Sequence, residues 1–99
     1  MIPHTIGFIG AGNMARSLAG GLLNNGWSVD RLLLSDPDAN QRRGAEQALG
    51  LKTFAANTAL AAAADVLVLA VKPQALKAVT EEIAATVQNN AKPARIAPT

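Results

Sequence analysis

A glycine-rich segment near the amino terminus has residue types and spacing that suit the binding of an anion. It reads Gly10-Ala11-Gly12-Asn13-Met14-Ala15, which fits the pattern G-x-G-x-x-G/A, and it follows a predicted strand and opens a predicted helix. Gly10 permits a sharp turn, Gly12 lets the backbone contact a pyrophosphate, and Ala15 lets the helix pack tightly on the strand. Free N–H groups at the positive end of the helix would then bind the anion. The alternative is a glycine-rich turn that binds no ligand.

A second candidate group follows the next apolar run of the chain. Ser35 and Asp36 lie about 20 residues beyond the glycine loop, where dinucleotide-binding folds place the residue that contacts the adenosine ribose. Asp36 can accept hydrogen bonds from a ribose 2′-hydroxyl, which favours NADH. Ser35, with Arg42 or Arg43 nearby, can instead receive a 2′-phosphate, which favours NADPH. Asp36 before Pro37 is also an ordinary turn residue, and the two arginines can simply belong to the solvated face of a helix.

Two further features lie where a bound dinucleotide would pass. Asn57 can touch the adenosine side, although capping of the next helix explains this residue without a ligand. The segment Val71-Lys72-Pro73 stands at the end of the fourth predicted strand, at the edge where open parallel sheets bind ligands. Lys72 can donate to a ribose hydroxyl or a phosphate, or it is a surface lysine before a proline that starts a helix. The lone His4 is assigned no function.

The elements that would position these residues alternate along the chain. Short apolar runs predict strands at residues 5–9, 31–35, 52–54 and 65–70. Apolar residues at helical spacing predict helices at residues 13–25, 38–49, 57–64 and 73–87. The apolar residues of the first helix form two adjacent rows, which are Met14, Leu18 and Leu22, and Ala15, Ala19 and Leu23. Gly50 is the expected carboxyl cap of the second helix.

This alternation predicts one α/β domain over residues 1–99. The expected architecture is a Rossmann-like, doubly wound parallel sheet with right-handed crossovers and helices on both faces. Residues 88–99 lack caps and a sustained apolar face, which favours a loop or tail. A further strand beginning at residues 95–97 is the alternative for that segment.

The composition suits a small globular domain and argues against several classes of function. Of the 99 residues, 49% are apolar and 16% are charged, and the formal net charge is +2. This charge is too small and too dispersed for a nucleic-acid surface, and no apolar run approaches the roughly 20 residues that span a bilayer. Because cysteine is absent, the chain has neither a disulfide framework nor a thiolate metal site, and no metal is expected. No secretory leader pattern opens the chain, so the cytoplasm is the expected location.

Four segments form a combination that is more specific than the glycine motif alone. They are Ile6-Gly7-Phe8-Ile9-Gly10-Ala11-Gly12-Asn13-Met14-Ala15, Gly20-Gly21-Leu22-Leu23, Ser35-Asp36-Pro37 and Ala64-Asp65-Val66-Leu67-Val68-Leu69-Ala70-Val71-Lys72-Pro73-Gln74. Together they resemble the pyrroline-5-carboxylate reductase family, from about residue 5 to about residue 87. The resemblance implies reduction of 1-pyrroline-5-carboxylate to L-proline, the last step of proline biosynthesis, with hydride from NADPH or NADH.

The resemblance also implies roles for individual residues. The loop at residues 10–15 would bind the pyrophosphate, and Ser35 and Asn57 would approach the adenosine ribose or its 2′-phosphate. The segment Ala70-Val71-Lys72-Pro73 would flank the nicotinamide ribose. In such enzymes the nicotinamide supplies the chemistry, while protein groups orient it against the imine and exclude water.

Members of that family continue beyond the segment seen here. Past the fourth helix they extend into a strand and a glycine-containing turn, and then into a helical C-terminal domain, which dimerises and provides most of the substrate pocket. The chain ends at Thr99, so no catalytic residue is expected within it, and we expect it to bind the cofactor without turning over substrate. Contact with 1-pyrroline-5-carboxylate is expected only when the second half is present. An unpaired sheet edge and an uncovered apolar surface would favour self-association.

Two rival interpretations stay open from the sequence. A dehydrogenase of the 3-hydroxyacid or 6-phosphogluconate type also opens with a glycine loop and a helix, although Asn13-Met14-Ala15 and Val71-Lys72-Pro73-Gln74 argue against it. The other rival is a non-catalytic nucleotide-binding or scaffold module. A substrate screen on the complete protein distinguishes the reductase from these dehydrogenases. A reading frame that continues into a helical domain would argue against the scaffold interpretation.

Overall fold

The computed structural model describes residues 4–89 and 95–98 of the chain. Its strands are β1 (Ile6–Ile9), β2 (Leu32–Ser35), β3 (Lys52–Phe54), β4 (Val66–Leu69) and β5 (Arg95–Pro98). Its helices are α1 (Asn13–Asn24), α2 (Ala39–Leu49), α3 (Asn57–Ala63) and α4 (Pro73–Asn89), and one 3₁₀ turn, Val29–Arg31, precedes β2. Within these described ranges, no helix is both long and apolar enough to cross a membrane.

The strands form one parallel sheet in the order β3-β2-β1-β4-β5. The central strand is β1, whose last residue, Ile9, is level with Ser35 of β2 and with Leu69 of β4. From β1 the chain adds β2 and then β3 on one side of the sheet. The connection after β3 crosses over the sheet, so that β4 pairs with the other side of β1. Open parallel sheets bind ligands at such a reversal, in the crevice at the carboxyl ends of the strands. The predicted doubly wound α/β fold is confirmed.

Each face of the sheet carries its own apolar layer. The layer under α3 and α4 includes Ile9, Leu33, Leu60, Leu67 and Ile83. The layer under α1 and α2 includes Phe8, Ala15, Ala19, Leu32, Leu34 and Ala45. Neighbouring residues of β1 and β2 fall into different layers because side chains alternate across a strand. Burial of each large apolar side chain contributes about 1.5–3 kcal/mol, so β1 is held from both faces.

The first turns of helix α1 pack on the sheet through alanine, and Leu22 and Leu23 are partly buried against the same layer further along the helix. Ala15 and Ala19 are buried, while Met14 and Leu18 keep 58% and 43% of their surface exposed. Of the two rows that the helical spacing predicted, the row that begins with Ala15 and Ala19 therefore faces the core. Methyl side chains allow the helix to approach the sheet closely, and interiors packed this tightly leave no room there for the longer pair.

The expectation of a loop or tail at residues 88–99 is wrong where the structure describes them. Helix α4 continues to Asn89, and the segment Arg95–Pro98 forms β5, which pairs with β4. The alternative, a strand near residue 95, is therefore confirmed. The backbone groups of this four-residue strand are paired with those of β4. Such pairing with a distant segment leaves no local pattern in the sequence. The remainder of the expected tail lies outside the described residues.

One predicted helix cap is confirmed and another is wrong. Gly50 caps α2 in the left-handed conformation, with φ 72°, as expected of a carboxyl cap. The N-cap of α3 is Ala56, which makes no side-chain capping hydrogen bond, and Asn57 is the first residue inside the helix. The side chain of Asn57 is instead engaged by other elements, as described below.

Candidate functional site

The turn after β1 can be built only with glycine at its first position. Gly10 has φ 108°, a conformation that L side chains rarely adopt, and a Cβ atom there would lie 2.5 Å from the carbonyl oxygen of Ala70. The Gly10 N–H donates to the carbonyl of Ser35 at 2.7 Å. The turn is therefore pressed against the end of β4 and tied to the end of β2.

The second glycine leaves space in front of helix α1. Gly12 is the N-cap of α1, with φ −80° and ψ −167°, which any residue can adopt, and a Cβ atom there would meet nothing within 4 Å. No side chain caps the helix, and its first internal hydrogen bond runs from the N–H of Arg16 to the carbonyl of Gly12 at 3.0 Å. The preceding amides therefore lack helical acceptors. An anionic diphosphate fits this opening, because bare backbone and the positive helix end face it.

Asn13 and Met14 form the exposed edge of this opening. Both belong to the first turn of α1, and both side chains are exposed. Ala15 is buried one residue further on, where it packs α1 on the sheet, as the motif predicted. The segment thus presents backbone amides and exposed side chains on one side and a packing methyl group on the other.

One amide of the glycine loop already has a partner. The N–H of Ala11 donates to Oδ2 of Asp36 at 3.1 Å, and Oδ1 of Asp36 accepts from the N–H of Asp38 at 2.9 Å. Asp36 therefore acts as a turn residue and also joins the end of β2 to the loop after β1. Each carboxylate oxygen can accept a further hydrogen bond, so contact with a ribose hydroxyl is compatible with both roles.

The arginines after β2 have different surroundings. Nη1 of Arg42 donates to the carbonyls of Asp36 and Pro37, at 2.8 and 3.1 Å, so this side chain closes the turn. Arg43 is exposed, and its Nη1 lies 3.5 Å from Oδ1 of Asn40. The interpretation of Arg43 as part of a solvated helix face fits this position, whereas Arg42 is a structural donor to the backbone.

A polar chain links β2, α3 and α4 on the other face. Oγ of Ser35 donates to Oδ1 of Asn57 at 2.7 Å, and Nδ2 of Asn57 donates to Oε1 of Glu82 at 2.8 Å. Ser35 has no exposed surface. The approach of Ser35 and Asn57 to the adenosine ribose or its 2′-phosphate, which the resemblance implied, stays a prediction. Ser35 positions Asn57, which is only half-buried.

The end of β4 lies beside the glycine loop. The N–H of Ala70 donates to the carbonyl of Ile9 at 2.9 Å, and the position of a Cβ on Gly10 would be 3.6 Å from Cγ1 of Val71. Lys72 and Pro73 follow, both exposed, and Pro73 begins α4. The structure thus brings the segment from Ala70 to Pro73 and the loop at residues 10–15 to one edge of the sheet.

Sequence reasoning missed Arg16, which crosses from α1 to α2. Its Nε donates to the carbonyl of Ala11 at 2.9 Å, and its Nη2 donates to Oε1 of Gln41 at 2.9 Å. A Cβ on Gly44 would lie 2.5 Å from this guanidinium. A glycine inside a helical pattern often marks such a close approach, so Gly44 was the available signal.

This fold and turn define a nucleotide-binding domain of the Rossmann type. The strand order, the glycine turn between β1 and α1, and the opening at the carboxyl edge are its defining features. More specifically, the chain belongs to the family described as NADP oxidoreductase coenzyme F420-dependent, whose profile matches residues 5–93.

Curated relatives of the chain carry the name that the sequence segments suggested. The chain is 45% identical over 84 residues to the pyrroline-5-carboxylate reductase of Pseudomonas aeruginosa, a match that covers 85% of this chain and 31% of that protein. It is 40% identical over 80 residues to the enzyme of the same name from Vibrio alginolyticus, covering 81% of this chain and 29% of that protein. These matches confirm the resemblance, and the chain spans roughly a third of the length of these relatives.

Solved structures agree with this assignment. A pyrroline-5-carboxylate reductase from Coxiella burnetii superposes with a TM-score of 0.87 at 32% identity, over 99% of this chain and 36% of that one. The pyrroline carboxylate reductase of Plasmodium falciparum, solved with NADP bound, gives a TM-score of 0.74 at 26% identity, over 91% of this chain and 32% of that one.

Proposed function

We propose that this chain is the NAD(P)H-binding domain of a pyrroline-5-carboxylate reductase, which reduces 1-pyrroline-5-carboxylate to L-proline in proline biosynthesis. The observation that supports this most is the open space at the N-cap of α1, where Gly12 offers bare backbone beside the crevice between β1 and β4. The identity to curated reductases, which reaches 45%, supports the choice of substrate.

The positions of the residues suggest which part of the cofactor each of them would bind. The first-turn amides of α1 would hold the diphosphate, with Gly10 and Ala70 fixing the loop against β4. Asp36 and Asn57 would face the adenosine ribose, and Val71, Lys72 and Pro73 would line the nicotinamide ribose. When bound, the nicotinamide supplies a hydride to the imine carbon. The residues of this chain bind and orient the cofactor, and the substrate contacts belong to the further length of the relatives.

Binding and turnover test this proposal separately. Isothermal titration calorimetry of the 99-residue chain with NADH, NADPH and ADP-ribose is expected to show saturable binding of all three. A coupled assay with 1-pyrroline-5-carboxylate is expected to show turnover only in a protein of the relatives' full length. Turnover by this chain at rates typical of enzymes, about 1 to 1000 per second, would contradict the assignment of substrate contacts to the remainder.

The family description names coenzyme F420, which suggests a second candidate function. In that function hydride would pass between NADPH and F420. A protein of full length that oxidises NADPH with F420 and ignores 1-pyrroline-5-carboxylate would support that function instead. Nucleotide binding with neither reaction would favour the scaffold interpretation. The proposed compartment is the cytoplasm, to which a cysteine-free composition is suited, and cell fractionation tests it.

We also propose that the chain self-associates. Within the described sheet, β3 and β5 are the outer strands, and Met14 and Leu18 expose apolar surface on α1. Outer strands and exposed apolar groups both favour association between chains. Light scattering at high micromolar concentration is expected to give a mass above that of one chain, and a uniform monomer would contradict this proposal.

A further inference from the structure

Both backbone polar groups of Ala11, within the glycine loop, are held by side chains from outside the loop. Its N–H donates to Oδ2 of Asp36 at 3.1 Å. Its carbonyl oxygen accepts from Nε of Arg16 at 2.9 Å. The side chain of Ala11 has no exposed surface, so this residue is fixed from three directions. The donor to its carbonyl is charged, which makes that hydrogen bond stronger than one between neutral groups.

The hydrogen bond to this carbonyl sets the direction of the next amide. The carbonyl of Ala11 and the N–H of Gly12 belong to one trans peptide unit, so they point in opposite directions. Among the described residues, the N–H of Gly12 has no hydrogen-bond acceptor. If this peptide unit turned over, the carbonyl oxygen would face a bound anion and repel it. The bond from Arg16 therefore keeps the N–H of Gly12 available to a diphosphate.

Arg16 is in turn anchored on α2. Its Nη2 donates to the carbonyl oxygen of Gln41 at 3.2 Å and to Oε1 of the same residue at 2.9 Å. The guanidinium lies against Gly44, where a Cβ atom would be 2.5 Å from Nη2 and 3.0 Å from Cζ. A guanidinium is a rigid plane, so its Nε and Nη2 cannot move independently. Gly44 thus makes room for a side chain that connects α2 to the glycine loop.

We propose that Arg16 is a positioning residue for cofactor binding, which orients the peptide unit between Ala11 and Gly12 before the nicotinamide dinucleotide binds. The inference rests on the proposed function, because it concerns an amide that would hold the diphosphate. Arg16 acts through the N–H of Gly12 and not by contact with the ligand. An anchored peptide unit is already ordered, whereas a free one loses conformational entropy when the ligand binds. Ordering the backbone of one residue corresponds to about a 5- to 30-fold loss in affinity.

Two substitutions test this role in different ways, and both keep a positive charge at position 16. Arg16→Lys replaces the rigid fork by a single ammonium group, which does not reproduce both anchors. Gly44→Ala leaves Arg16 in place but displaces its guanidinium, while helix propensity favours alanine within α2. Calorimetric titration with NADH is expected to show an affinity about 5- to 30-fold lower for each variant.

Each of these variants has a matched control. Arg31→Lys makes the first change at an exposed residue in the 3₁₀ turn before β2, at the opposite end of this strand from the glycine loop. Gly21→Ala makes the second change on the exposed face of α1, with nothing within 4 Å of the added Cβ atom. Both controls are expected to bind NADH like the wild type. In ligand-free protein, the amide signal of Gly12 in proton–nitrogen spectra should move in the two test variants and stay in place in the controls.

A second ligand distinguishes positioning of the diphosphate site from a general distortion. Adenosine lacks the diphosphate, so it should bind the test variants and the wild type with similar affinity, measured from shift changes in the same spectra. Equal losses of affinity for NADH and for adenosine would contradict the positioning role. Wild-type affinity for NADH in folded Arg16→Lys or folded Gly44→Ala protein would also overturn it, and if one variant does not fold, the other decides. Failure of the wild-type chain to bind NADH would instead overturn the proposed function, and this inference with it.

Discussion

Replacement of Gly12 by alanine should separate cofactor binding from folding. The backbone at Gly12 suits any residue, and the added methyl group would meet no protein atom within 4 Å. Loss of glycine at an N-cap costs a few tenths to about 1 kcal/mol. The reduced entropy of the unfolded chain returns about 0.4–1 kcal/mol, so the free energy of unfolding should stay nearly constant.

The same methyl group occupies the space proposed for the diphosphate. It would hold a phosphate oxygen away from the amides of the first turn and remove at least one hydrogen bond to a charged group, worth about 1.5–3 kcal/mol. The expected loss in affinity for NADH is therefore about 10- to 100-fold. Calorimetry measures this loss, and urea denaturation confirms that the variant is folded.

Gly21→Ala is the matched control for this experiment. Gly21 lies in the same helix, is exposed, and has nothing within 4 Å of its Cβ position. This variant should gain up to about 1 kcal/mol of stability from helix propensity and bind NADH like the wild type. If Gly12→Ala binds as tightly as Gly21→Ala, the diphosphate does not lie on the first turn of α1.

Three other substitutions test how the site is positioned. Gly10→Ala combines φ 108° with a Cβ atom 2.5 Å from the carbonyl oxygen of Ala70. It should therefore lower the free energy of unfolding by about 3 kcal/mol or more. A loss under about 1 kcal/mol in urea denaturation would refute this account of the turn. Gly7→Ala places a methyl group 3.0 Å from the side chain of Leu60 in α3, so it should lower the free energy of unfolding by about 1–3 kcal/mol. Thermal unfolding measures this change, and an unchanged Tm would argue against tight packing at Gly7. Ser35→Ala leaves Oδ1 of Asn57 without its donor and should cost about 1–2 kcal/mol, and a neutral result would show that the buried hydrogen bond is dispensable.

The sequence predicted the element order because the local signals are strong. Runs such as Leu32-Leu33-Leu34 between turn residues indicate buried strands, and the glycine motif marks the turn between strand and helix. Gly10 and Ala70, which directly follow β1 and β4, lie next to each other at one edge of the sheet. This follows from the rule that parallel strands bring their carboxyl ends to one edge.

The features that the sequence did not predict depend on contacts between distant segments. Met14 and Ala15 start two rows with the same helical spacing, so periodicity alone could not decide which row faces the sheet. Asn57 is a good capping residue, but hydrogen bonds to Ser35 and Glu82 determine where its side chain lies. Likewise, the bond between Asp36 and the glycine loop joins residues 25 positions apart, which no local pattern records.

The central claim is that the first-turn amides of α1 bind the diphosphate of a nicotinamide dinucleotide. Proton–nitrogen correlation spectra of the ¹⁵N-labelled chain, recorded during titration with NADH, test it most directly. The account predicts that the amide signals of Gly12, Asn13 and Met14 shift most and saturate together with the calorimetric binding curve. Saturable binding that leaves these three signals in place would contradict it.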